Sequence, residues 1–479
     1  MAETERAQAA GGGLVAVVLA AGKGTRMKSD LPKVLHKICG QELALFPIQA
    51  ALGAGARHVV VVVGHGAEQV EATLRAALPG APLSFAVQAE QRGTGHAALC
   101  AKAALLEQGV SAGARVLLVA GDVPLLRAET LKQLAQAQQE SGDVLGLVST
   151  EFVDPTGYGR VIRDGKGRIQ RIVEEKDATA AERALREGNA SIYCAEASFL
   201  FAALEKLTPQ NAQGEYYLTD IVAIAAQGPG SGPVAVRASE SEIAGVNDRA
   251  QLAWAAGVWN ARNLDALMKS GVTVLDPRST WVDAGVQVGH DALLEPLVSL
   301  RGRTRVGNGA QLGQGAIVID SVIADTARIL PYTHIEQAQV GSGCVVGPYA
   351  RLRPGAHLEM DSHVGNFVEL KKTRLGKGSK ANHLAYLGDA EIGAGVNVGA
   401  GTITCNYDGV NKHITRIEDG AFIGSDTQLI APITVGAGAY VGTGTTVRED
   451  IPAGALAVSA GKQRNIEGWV ARRAPARKK

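Results

Sequence analysis

Two sets of residues in this chain have types and spacings that suit chemistry. The first opens at Leu19-Ala20-Ala21-Gly22-Lys23-Gly24-Thr25-Arg26-Met27, where an apolar run breaks into glycines and cations. Glycines let a loop bring backbone N–H groups close to an anion. Arg26 and Lys33 add two positive charges, and Pro32 stiffens the approach. Farther on, Gly121-Asp122 ends another apolar run. An aspartate at a strand end is ordinarily a cap or turn residue. It is also an oxygen ligand of the kind that holds Mg²⁺ together with substrate phosphates. A dinucleotide fingerprint would need glycine at Met27, and a P-loop would need Gly-Lys-Ser/Thr after a four-residue gap, so both are excluded.

The second set lies near the C-terminus. Arg351, Arg353, Lys371 and Lys372 gather positive charge, and His383 and Tyr386 stand three positions apart. Asn397 follows, then Cys405-Asn406-Tyr407-Asp408-Gly409. An imidazole titrating near pH 6.5 is a proton acceptor at physiological pH, and cations beside it suit a phosphorylated substrate. A lone histidine is more often structural, so spacing alone favours the structural role. His65 and His96, both near glycines, read as turn and packing residues.

The elements that position these residues differ between the two halves. Leu14–Ala20, His58–Val63 and Val116–Ala120 are continuous apolar runs, as expected of buried parallel strands, with alanine-rich helical stretches between them. That alternation predicts an α/β domain whose ligands bind at the carboxyl ends of the strands. From Arg249 to Lys269 the period turns helical, through Leu252, Ala256, Trp259, Leu264 and Leu267. Beyond it, Val340, Val346, Leu352, Leu358, Val364 and Leu370 recur every six residues, and the beat returns at Ile423, Leu429, Val435, Val441 and Val447. A period of six fits neither a helix nor a lone strand. It fits a parallel β-helix, three hexads to a coil, running from about Val286 to Val458 in roughly ten coils. The beat breaks over Thr402–Gly420, and solenoid insertions project on a functional face. The expected division is residues 1–248, an α/β domain, 249–269, a helical linker, and 270–479, a β-helix with a basic tail.

Composition agrees. With 479 residues the chain exceeds one core, and 59 glycines with 4% aromatics suit a solenoid's corners and narrow interior. A net charge of +1 offers no general attraction to nucleic acid or membrane. Five scattered cysteines without a CxxC pattern argue for reduced thiols and against structural zinc. The polar, acidic first ten residues make a poor signal peptide, and the run Leu14–Ala21 is too short to span a bilayer, so a soluble cytoplasmic protein is expected.

The segment Leu19 to Lys33 resembles the signature of sugar-1-phosphate nucleotidylyltransferases. More narrowly, it is similar to the bacterial bifunctional uridylyltransferase/glucosamine-1-phosphate acetyltransferase family. The resemblance implies a Rossmann-like nucleotidylyltransferase domain followed by a left-handed β-helix, and it extends from about Leu14 to Trp469. It implies that Leu19, Ala20, Ala21, Gly22, Arg26, Lys33, Gln88, Gly93, Thr94, Ala120, Gly121, Asp122, Gly159, Glu174, Asn189 and Asn247 surround the nucleotide and sugar. Asp122 and Asn247 would hold Mg²⁺. Ala120 stands where family members often have tyrosine, which implies a looser pocket wall.

The motifs around Arg353, Val364–Lys372, His383–Glu391 and Gly399–Asp408 resemble the acetyltransferase half of the same family. The resemblance implies His383 as general base and Arg353, Lys371, Tyr386 and Asn397 as ligands of the amino-sugar phosphate. Ala400, Asn406, Tyr407, Ser425 and Thr443 would contact acetyl-CoA. Thr443 replaces a frequent alanine and Ala460 a frequent arginine, so weaker coenzyme affinity is expected.

The implied enzyme acetylates glucosamine-1-phosphate with acetyl-CoA, then transfers UMP from UTP to N-acetylglucosamine-1-phosphate, feeding peptidoglycan and lipopolysaccharide synthesis. It is expected to be a homotrimer with acetyltransferase sites between neighbouring β-helices. Two rivals are a single-activity nucleotidylyltransferase with a structural β-helix and a non-catalytic regulatory subunit. Retention of His383, Lys371 and Asn406-Tyr407 speaks against the first, and Asp122, Lys33 and Asn247 against the second.

Overall fold

The computed structural model describes residues 13–228, 230, 232–459, 461, 463, 465–470 and 472. Ala460 and, apart from Arg472, the tail Ala471–Lys479 lie outside the described residues. The chain divides into two compact units, parting between Trp259 and Asn260.

In the first unit the apolar runs become adjacent strands. The sheet order is Val234–Arg237, Leu145–Glu151, Glu187–Glu196, Arg115–Ala120, Leu14–Ala20, Val59–Val63, Leu83–Val87. Neighbours pair in parallel, except that Glu187–Glu196 runs antiparallel to both strands beside it. Helices cover both faces, because the strands are apolar on both: Val15 and Val17 enter one core cluster, Ala16 and Val18 the other. The strand ends carrying Ala20, Gly121 and Gln88 consequently open on one edge.

The helix Arg249–Lys269 forms as its periodicity predicts. Ala255 packs with Ile38, Leu43, Phe46 and Val246, whereas Leu264 enters the core of the second unit with Val272 and Val282.

The second unit is a left-handed parallel β-helix. Among the described residues its three faces contain eleven, ten and nine short strands, each paired in parallel with its equivalent one coil on. Val340, Val346, Leu352, Leu358, Val364 and Leu370 all point inward and are at most 2% exposed. The first strand, Thr273–Val274, precedes the expected start at Val286. Val274 and the next inward aliphatic residue, Val282, are eight positions apart, so the first coil does not keep the beat. The break is also narrower than Thr402–Gly420: Ile403–Cys405 and Thr415–Ile417 are ordinary rungs, and only the segment between them leaves the solenoid.

Candidate functional sites

At the strand-end edge of the first unit lies a cavity of about 500 Å³. Leu19, Ala20, Ala21, Gly22, Lys33, Gln88, Gly93, Thr94, Ala120, Asp122 and Glu174 line it. The Gly22 position faces open space, so a ligand can approach the backbone there. Gly24 adopts φ +61°, and a Cβ on it would lie 2.5 Å from Lys33 Cβ, so this glycine allows Lys33 to pack against the loop. Gly121 donates its N–H to Leu19 O at 2.8 Å, tying the two loop-bearing strand ends together.

Asp122 and Asn247, distant in sequence, are joined where Val246 N–H donates to Asp122 O at 2.8 Å. The Lys33 ammonium bonds the Asp122 carboxylate and reaches Asn247 Oδ1 at 3.3 Å, while Arg26 donates to the same Oδ1 at 2.9 Å. Two hard oxygens thus converge on one cation, the donor set a divalent ion shares with phosphate. Among the described residues no group of three or more His, Cys, Asp or Glu is arranged to hold a metal ion, so such an ion would be completed by ligand oxygens and water. The donor set fits.

Gly159 and Asn189 are set back from the cavity wall. Gly159 O accepts from Asn189 N–H at 2.9 Å, and the buried Asn189 amide donates to Tyr193 Oη at 2.7 Å. Both residues support the β-bulge that turns Ser191 and Tyr193 into the cavity. Burial pushes the Glu174 carboxyl upward against the pull of a 3.0 Å hydrogen bond from Thr219, and Asp220 and Asp177 add to the rise. Sequence reading missed Gln91, Ser191, Tyr193, Gln213, Tyr217 and Thr219 on this wall. The bulge residues carried no periodic signal.

On the β-helix, His383 and Asn366 occupy equivalent places on successive coils, their side chains 3.2 Å apart from Nδ1 to Oδ1. Donation from Nδ1–H leaves Nε2 free to take a proton. Extending the strand registers puts Ala400, Ser425 and Thr443 in the same column, each one coil farther on. At about 4.8 Å per coil, that column runs roughly 14 Å from His383 to Thr443. It suits a long, thin ligand lying along the axis.

A second cluster sits on the ten-strand face. Arg353, Lys371 and Gly388 align on successive coils. The Tyr386 phenol lies over Gly388, and Asn406 Nδ2 is 2.9 Å from where a Gly388 Cβ would be. Asp389 accepts from Asn406 Nδ2 and stands 3.6 Å from Lys371 Nζ. Lys412, which sequence reading missed, stands beside Lys371, and that close approach of a like charge lowers the Lys412 ammonium pKa. The insertion carrying Lys412 is closed by a Tyr407–Lys412 bridge. Asp408 accepts there from His413 Nε2 at 2.7 Å and from Val410 and Asn411 N–H, which pull its carboxyl down to about 2. Tyr407 is exposed and donates to Gly409 O at 2.5 Å. Asn397 lies apart, on the eleven-strand face between Lys380 and Phe422. One chain therefore gathers Arg353, Lys371, Tyr386 and Asn406 but not Asn397.

Residues 16–214 match the model of the MobA-like NTP transferase domain. A bifunctional protein GlmU from Anaeromyxobacter sp. (strain Fw109-5) is 58% identical over 460 residues, 96% of this chain and 93% of that protein. The bifunctional protein GlmU of Sorangium cellulosum (strain So ce56) is 52% identical over 462 residues, 96% of each chain. That of Pelobacter propionicus (strain DSM 2379 / NBRC 103807 / OttBd1) is 50% identical over 457 residues, 95% of this chain and 98% of its own. An α/β unit with a cation-lined cavity, joined to a β-helix bearing a histidine column and matched along nearly its whole length, places this chain in the family of bifunctional GlmU proteins.

Proposed function

We propose that the chain catalyses two consecutive transfers. The β-helix moves acetyl from acetyl-CoA to the amine of glucosamine-1-phosphate, and the α/β unit moves UMP from UTP to the resulting N-acetylglucosamine-1-phosphate. The observation that carries this reading is the axial column from Asn366 through His383 to Thr443, which a purely structural rod does not require.

In the first transfer the sugar phosphate sits against Arg353, Lys371 and Tyr386. The amine must be uncharged to attack the thioester. His383, oriented by Asn366, takes its proton at Nε2 as the C–N bond forms and the coenzyme A thiolate leaves. The extended coenzyme lies along Ala400, Ser425 and Thr443, with Asn406 and Tyr407 beside it. In the second transfer a phosphate oxygen of the acetylated sugar attacks the α-phosphorus of UTP, and pyrophosphate leaves. That nucleophile is already ionised, so the site needs positioning and charge neutralisation rather than a base. Lys33, Arg26 and the loop amides at Gly22 supply both. Mg²⁺ held by Asp122 and Asn247 would offset further phosphate charge.

The working protein is a homotrimer in the cytoplasm, and its acetyltransferase site is completed by a second copy. Asn397 faces away from the Arg353 cluster, so a neighbouring β-helix would bring its own Asn397 to this one. Tyr332, Tyr349 and Phe367 stack in the corner column that ends at Leu384, beside His383. Phe367 is 57% and Leu384 63% exposed, an apolar stripe suited to such a partner.

The order of steps is tested by supplying glucosamine-1-phosphate and UTP with or without acetyl-CoA. Efficient pyrophosphate release is expected with acetyl-CoA present. Equal release without it would reject the order and the pairing of the two sites.

A further inference from the structure

His96 does not line the nucleotide cavity; it borders a separate one of about 330 Å³ with Arg92, Leu99, Glu205 and Tyr216. Its ring nonetheless reaches the nucleotide cavity through Gln88. The Gln88 Nε2 lies 3.1 Å from Gly93 O and 3.0 Å from His96 Nδ1. Gly93 O can only accept, so the atom facing it must be the amide NH₂. That fixes the other contact: Nδ1 of His96 must accept, which requires a neutral ring protonated at Nε2.

The reference carbonyl is itself held rigidly. Gly93 sits at φ +105°, where a Cβ would lie 2.6 Å from Tyr216 O. The chains on either side are tied by Tyr216 N–H to Arg92 O and Gly95 N–H to Tyr216 O, both 2.8 Å. Gln88 is 4% exposed, and with both amide hydrogens engaged its Oε1 is an acceptor at the cavity wall.

We propose that His96 is a positioning residue that sets nucleobase choice by holding Gln88 Oε1 toward the base. The proposal rests on the reading of this cavity as the nucleotide site. An acceptor there pairs with the N3–H of uracil and repels cytosine, whose N3 is also an acceptor. Without His96, the amide keeps a single anchor at Gly93 O and is freer to turn.

The test measures kcat and KM with UTP and with CTP for the full chain, for His96→Ala and for His96→Asn, whose Oδ1 can stand where Nδ1 accepts. Acetyl transfer by the β-helix on the same preparations reports that the protein is intact. In His96→Ala the preference for UTP over CTP is expected to shrink about tenfold, the scale of one hydrogen bond, through KM with kcat nearly kept. His96→Asn should restore most of it. An unchanged preference in His96→Ala, or equal loss in both variants, would overturn the role of His96. Wild-type protein with no preference between UTP and CTP would instead remove the nucleotide reading, and the proposal with it.

Discussion

Glu174 shows how one side chain can be held against its own stability. Burial raises its folded-state pKa, so as pH climbs past the usual carboxylate range the unfolded chain releases the proton first, and stability falls. Glu174→Gln should therefore raise Tm at pH 7, with the gain fading as pH falls and vanishing below about pH 4, where both states become protonated. The same change should raise KM for N-acetylglucosamine-1-phosphate; thermal melts at both pH values and steady-state kinetics check the pair. Lys33 lies at the opposite pole, bridging Asp122 and Asn247. Lys33→Ala should cut pyrophosphate release by about a hundredfold, as loss of a preorganised charge donor does, while acetyl transfer by the same chain is kept.

At the scale of elements, the coils are stacked so closely that a methyl group has no room. A Cβ on Gly365 would strike the backbone carbonyl of Asn382 and lie 2.7 Å from its Cα. Gly365→Ala should force apart the coils carrying Asn366 and His383, costing about 3 kcal/mol and acetyl transfer together; denaturant melts read beside turnover check this. Much of this architecture was legible in the sequence, because an inward aliphatic at every sixth position leaves no other fold. The first coil was not, since Val274 and Val282 are eight residues apart. The insertion was read too widely because its leading rung holds buried Thr404 where an aliphatic was sought, and because the beat resumes at Ile417, one hexad before Ile423. Leu19–Lys33 and Gly121-Asp122 were legible as strand-end segments bordering one cavity because each is a short contiguous stretch ending an apolar run. Ser191, Tyr193 and Thr219 were not, because a bulge and a distant loop deliver them. Asn366 was missed although it lies 17 residues before His383, one coil away.

At the scale of the whole molecule, the two units bear separate sites on one chain. The exposed stack of Tyr332, Tyr349 and Phe367 runs toward His383. On the proposed homotrimer, Phe367→Asp should give monomers by light scattering and lower acetyl transfer at least about tenfold, since a charge placed in the proposed apolar interface is left unpaired. Uridylyl transfer, whose cavity lies within the first unit, should persist. Trimers that form normally in this variant would argue that the stripe serves another purpose. No helix among the described residues is long and apolar enough to cross a membrane.

Acetyl transfer by the β-helix is what separates this chain from a nucleotidylyltransferase carried on a structural rod. The most direct test supplies glucosamine-1-phosphate and acetyl-CoA to purified protein without UTP and follows free coenzyme A, with His383→Ala alongside. Release by the native chain that falls by about a hundredfold or more in the variant is the predicted result. No release from folded native protein at high acetyl-CoA, or equal release from both, would contradict the assignment of that column as a catalytic site.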